Sequence, residues 1–95
     1  MSTRVKNRIG TSDQRCGTCP SWLRHWENGT GEKKHVCGTI GCNNSAEVGG
    51  HVIKVGGYDR ATYIVPICFS CNVRSDEYDV IWTLHPTSVS YTCGA

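Results

Sequence analysis

Two closely spaced cysteine pairs, Cys37-Gly38-Thr39-Ile40-Gly41-Cys42 and Cys68-Phe69-Ser70-Cys71, stand about twenty-five residues apart in the chain. Thiolates grouped in this way are ligands for a tetrahedral metal. Two short knuckles that each supply two sulfurs have the spacing of a structural Zn²⁺ site. A third pair, Cys16-Gly17-Thr18-Cys19, repeats the spacing, and Cys93 is the seventh thiol. Cys16 and Cys19, joined by one or two of His25, His35, His51 and Cys93, would complete a second zinc of Cys₂His₂ or Cys₃His type. Without such partners they read as a vicinal redox pair, although the βαβ context of a thioredoxin-like motif is missing. The expected cofactor is therefore Zn²⁺, as one ion or two.

The competing chemistry is a disulfide framework. It needs an oxidising compartment and fits an even number of cysteines, whereas this chain has seven. The opening Met1-Ser2-Thr3-Arg4-Val5-Lys6-Asn7-Arg8 carries charges with no apolar run behind them, which reads as neither a secretory leader nor a membrane anchor. The expected setting is the reducing cytoplasm, where thiols bind metal. Composition points the same way: 95 residues, 38% hydrophobic with eleven Gly, bury a thin core that usually needs a staple. A net charge of +2 announces no particular partner. No small-molecule substrate is evident.

The elements that must hold these thiols follow from the flanking pattern. Residues 1–15 are polar and basic (Arg4, Lys6, Arg8, Arg15) without periodicity, and read as a flexible basic arm ahead of a single zinc-binding domain over 16–95. Ser21 suits a helix N-cap, Trp22, Leu23 and Trp26 share one face of a short helix, and Asn28-Gly29 is a stop signal. Residues 47–55 read as a strand with β-branched side chains at alternate positions, Gly56-Gly57-Tyr58-Asp59 as a turn, and 61–65 as a second strand ended by Pro66. A helix over 69–76, about two turns long, would carry Cys71 in its first turn. Residues 80–84 and 87–92 are strand-like, separated by His85-Pro86.

The segment Gly50-His51-Val52, taken with Tyr63-Ile64-Val65-Pro66-Ile67-Cys68-Phe69-Ser70-Cys71-Asn72, resembles the core of the HNH nuclease superfamily over residues 35–76. The resemblance implies a small α+β, zinc-stabilised domain with a treble-clef, ββα-metal core, here extended by an N-terminal Trp-rich helix and C-terminal strands. Cys37, Cys42, Cys68 and Cys71 would hold the structural Zn²⁺. In active members a His on the first hairpin strand is the general base that activates water, and His51 takes that place. Asn72 matches a catalytic position just after the second cysteine pair. The residue before the base is normally Asp, Glu or His and binds the catalytic ion, but here it is Gly50. The Asn that orients the base would fall near Tyr63. His51 otherwise reads as a hairpin histidine bonded to a backbone carbonyl.

With two of four catalytic groups present, the resemblance implies a degenerate HNH-like module that binds nucleic acid or a protein. Phosphate contacts would come from Arg4, Lys6, Arg8, Arg15, Lys33, Lys34, Lys54, Arg60 and Arg74. One alternative is a metal-dependent DNA endonuclease with His51 as base and Asn72 beside it. Another is a small inhibitor or adaptor working through exposed aromatics such as Tyr78, Trp82 and Tyr91. The stretch Ser21-Trp22-Leu23-Arg24-His25-Trp26 is similar to that of small uncharacterised bacterial proteins with the same downstream pattern, which implies a bacterial or phage source.

Overall fold

Alternating apolar residues build one antiparallel sheet, seen in a computed structural model that describes residues 2–8 and 21–87. Its strands are β1 (Thr3–Asn7), β2 (Val48–Lys54), β3 (Tyr63–Ile67), β4 (Tyr78–Val80) and β5 (His85–Pro86), in the order β4-β1-β2-β3-β5. Two helices accompany it, α1 (Trp22–Thr30) and α2 (Phe69–Asn72). The β2–β3 hairpin is the centre of the sheet, with His51 paired to Ile64 and Gly50 to Val65.

Successive side chains of a strand point to opposite faces. A Cβ added to Gly49 would meet the backbone of Trp22 and Leu23 in α1 at 2.6 Å, whereas one on Gly50 would meet Ile67 Cδ1 at 2.4 Å and Asn72 Oδ1 at 3.2 Å. The sheet therefore has a helix face, carrying Gly49, His51 and Ile64, and a cysteine face, carrying Gly50, Val52, Val65 and Ile67. The main core lies on the cysteine face, where Val5, Val52, Val65, Ile67, Tyr78 and Val80 surround Cys37, Cys68 and Cys71. On the helix face Trp26 is fully buried and its Nε1 donates to the Thr83 carbonyl at 2.7 Å.

Helix α1 starts where its cap residue predicts: Ser21 Oγ accepts from the Arg24 N–H at 3.1 Å. It runs past Asn28-Gly29 and ends at Gly31, whose φ of 73° is the left-handed conformation that glycine adopts without strain. Gly29 has a different use, since the His85 ring occupies the space a Cβ would fill.

Four expectations are corrected. Residues 3–7 belong to a strand flanked by β4 and β2, and Val5 is 0% exposed; the arm read over 1–15 does not hold for them, because Val5 and Asn7 turn inward between outward charges. Residues 9–20 lie outside the described residues. Pro66 sits inside β3 rather than ending it. Its carbonyl accepts from Gly38 N at 2.9 Å on the side away from β2, the side to which its missing N–H would also point, so no β2–β3 bond is lost. Helix α2 is four residues long, not two turns, because the Cys71 carbonyl accepts from Asn7 Nδ2 (2.8 Å) and Arg74 N (3.2 Å) instead of continuing the helix. Lastly, the strand expected over 80–84 is realised at Tyr78–Val80, and His85-Pro86, read as a separator, pairs with Ile64 and Tyr63. The strand expected over 87–92 lies almost wholly outside the described residues. Among those described, no helix is long and apolar enough to cross a membrane.

Candidate metal centre

Three elements bring the central cysteines together. Cys37 and Cys42 sit on a tight loop in which Cys42 N donates to the Thr39 carbonyl at 3.1 Å and Cys37 N to that of Asn44 at 2.8 Å. Gly41, with φ of 82°, makes the reversal possible. Gly38 N and O bond to Pro66 and Ile81, which pins this loop to β3 and to the segment after β4. Cys68 caps α2 and Cys71 lies within it. All four are free thiols, and their Sγ atoms lie within 4.8 Å of one another. Cys42 Sγ and Cys68 Sγ are 3.8 Å apart. A tetrahedral Zn²⁺ with Zn–S bonds of about 2.3 Å separates its sulfurs by about 3.8 Å, so the donor set fits the ion in number, type and spacing.

The electrostatics of the group are uneven. Burial opposes ionisation of Cys68, but the Cys71 N–H and the Asn44 amide outweigh it and lower this thiol to about 6. Asn44 Nδ2 stands 3.6 Å from the Cys68 sulfur. Burial, reinforced by neighbouring thiols, pushes Cys71 up to about 12. A metal entering the site must displace the protons held by the more basic thiols, which couples its affinity to pH.

The other candidate ligands separate into two groups. Cys16, Cys19 and Cys93 lie outside the described residues. His25 and His51 are buried on the helix face, and His35 is exposed. Among the described residues, the four central cysteines are the one group of His, Cys, Asp and Glu side chains with metal-ligand geometry.

The residues matched to the nuclease motif are not brought together. His51 is 8% exposed on the helix face, edge-on to the Trp22 ring at 4.8 Å between centroids. Its Nε2 has no hydrogen-bond partner among the described residues, so the carbonyl-bonded reading is not met at that atom. Burial lowers its pKa, and the charges of Arg8 and His25 add to the effect. Asn72 lies on the opposite side of β2, next to Gly50. Tyr63 also faces away from His51, its hydroxyl donating to Asp59.

Sequence reading missed three positioning residues. Asn44 follows the first knuckle closely enough that a polar side chain there could have been weighed. Asn7 holds the end of α2 through the Cys71 and Arg74 carbonyls (2.8 and 2.9 Å), across 64 residues or more of chain, and nothing local signals it. Trp82, expected as an exposed aromatic, is half-buried and donates from Nε1 to the Val36 carbonyl at 2.9 Å.

Several of the described basic side chains are matched locally. Arg4 pairs with Asp79 (3.0 Å), Arg74 with Asp76 (2.6 Å), Lys34 with Glu32 (3.3 Å) and Lys54 with Asp59 (3.6 Å). Lys6, Arg8, Lys54 and Arg60 share a groove of roughly 600 Å³ beside β1 and β2, along with Asp59 and Glu77. No family model matches the chain, and neither a curated protein nor a solved structure shows significant similarity to it.

Proposed function

We propose that the chain is a zinc-stabilised, HNH-like binding module with a treble-clef core, which grips a nucleic-acid backbone without cleaving it. The observation that carries this reading is the separation of His51 from Asn72. The candidate base lies beneath Trp22, its partner lies across the sheet, and Ile67 fills the space at Gly50 where a metal-binding carboxylate would stand. A general base must reach the proton it removes and a catalytic ion needs an oxygen donor, and this arrangement favours neither. Zn²⁺ held by Cys37, Cys42, Cys68 and Cys71 would fix the knuckle against the hairpin and α2, the chain order of a treble clef.

The groove of Lys6, Arg8 and Arg60 supports a phosphate partner. Its two carboxylates are already engaged, Asp59 with Lys54 and Tyr63, and Glu77 with Arg4 at 3.9 Å. Arg8 is steadied by a 2.9 Å bond from Nη1 to Thr62 Oγ1. Anisotropy of a labelled DNA duplex with the zinc-loaded chain, with Mg²⁺ or Mn²⁺ present, tests the reading. Three phosphates neutralised predict roughly forty-fold weaker binding between about 50 and 200 mM salt, with the duplex left intact. Lys6→Glu with Arg8→Glu should abolish most of the binding. Cleavage that disappears in His51→Ala would restore the nuclease, and a duplex that never binds would remove nucleic acid as partner.

A further inference from the structure

Taking the Lys6, Arg8 and Arg60 groove as a backbone grip, a reading on which this step rests, we infer that Tyr58 is a stacking platform beside it and that the preferred ligand is a nucleic acid with an unpaired base. Tyr58 is the most exposed of the six large hydrophobic residues exposed among the described ones, at 103% against 80% for Val73. Its chain neighbours Gly57 and Asp59 both line the groove, as do Lys54 and Arg60. A cationic groove with an aromatic ring beside it is the combination that holds unpaired nucleotides, because the cations follow the phosphates and the ring takes a base.

A single exposed ring on an ordinary surface needs no explanation. The turn that carries this one has two further features. It is fixed: Asp59 accepts from the Ala61 N–H at 2.9 Å and from the Tyr63 hydroxyl, and Lys54 Nζ lies 3.6 Å from the same carboxylate. A ring on a fixed turn loses little freedom when it binds. The turn is also bare. Gly56, with φ of 86°, owes its glycine to the backbone, but Gly57 lies outside the left-handed region and a Cβ there would meet only Asp59 N, at 3.9 Å. Neither strain nor packing asks for glycine at 57, and a position without a side chain suits the close approach of a sugar–phosphate chain.

Charge fits the same occupant. Four cations line the groove against the two carboxylates already engaged, and none of the four thiols is among its lining. In an intact duplex both faces of a base are covered by its neighbours, so a protein ring finds a partner where a base is splayed out of the stack.

The test compares three labelled duplexes of one length on the zinc-loaded full chain: fully paired, with one central bulged deoxyadenosine, and with an abasic site in place of the bulged base. The bulged base should bind roughly five- to 150-fold tighter than either of the others. Tyr58→Ala should remove that preference with zinc content unchanged, since the ring lies in water, and Tyr58→Phe should keep it. Lys6→Glu with Arg8→Glu should weaken all three duplexes alike. Equal affinity for the three, or a preference that survives in Tyr58→Ala, overturns the stacking role and leaves the backbone grip standing. An abasic bulge bound as tightly as the bulged base assigns the preference to duplex bending and also overturns it. So does a dimer that Tyr58→Ala dissolves, whereas a chain that binds none of the duplexes overturns the grip and the platform together.

Discussion

Gly50 lies on the cysteine face of β2, and the side chain it lacks has nowhere to go. Ile67 Cδ1 lies 2.4 Å from the position of an added Cβ. Gly50→Ala should therefore cost about 1–3 kcal/mol in urea unfolding of the zinc-loaded chain, and trimming Ile67 to Val in the same molecule should recover part of it. If Gly50→Ala alone unfolds at the wild-type urea concentration, the site is looser than this packing implies. His51 supplies a second test. Burial first, then Arg8 and His25, hold it below the ordinary 6.5, and burial and His25 do the same to His85. A lowered folded pKa means that the unfolded chain takes up protons first. Stability should be flat above about pH 6.5 and fall as the pH drops below it toward the folded value. His51→Gln should make that fall shallower between about pH 7 and 5.5, with zinc content followed in parallel. An unchanged slope would assign the acid sensitivity to the thiolates. The cysteine quartet was legible in the sequence because its spacing is local. The burial of His51 was not, because it depends on how α1 docks across the sheet.

Helix α1 was readable because its cap lies within its own first turn, and Ser21→Ala should cost about 1 kcal/mol, measured by thermal unfolding. The β2–β3 hairpin was readable from alternation. Helix α2 was overextended because the group that ends it arrives from β1. Asn7 donates to the carbonyls of Cys71 and Arg74 and accepts from the Tyr78 hydroxyl, which ties two strands to the helix that carries Cys71 and is capped by Cys68. Asn7→Ala strips partners from two part-buried carbonyls at a cost of about 1–3 kcal/mol. It should also speed zinc loss to a chelator, since the α2 cysteines would be less firmly placed. A stability loss without faster zinc release would confine Asn7 to the sheet. β1 itself escaped reading because one buried valine among charges makes no visible pattern.

At the scale of the molecule, the cysteine face joins a loop without regular structure to the hairpin and to one helical turn. Backbone bonds from Gly38 to Pro66 and Ile81 and from Ile40 to Asp79 tie that loop to the sheet at single points, and a metal on the four thiols would add to them. Zinc binding worth about 10–16 kcal/mol in small finger peptides exceeds or equals the roughly 5–15 kcal/mol by which domains are stable at all. Chelation at pH 7 should therefore collapse the far-UV circular dichroism and shift the Trp82 fluorescence, and readdition of Zn²⁺ should restore both. A spectrum unchanged with zinc gone would show that hydrophobic packing suffices.

The position of β1 also matters while the protein is being made. Strand β1 is synthesised before both of the strands that flank it, and Arg4 waits for Asp79, 75 residues on. At about 5–20 residues per second, its outer partner emerges roughly 4–15 s after it. During that interval Thr3–Asn7 is a strand without its full set of neighbours, so the sheet cannot be laid down in the order of translation and must close around β1 from both sides.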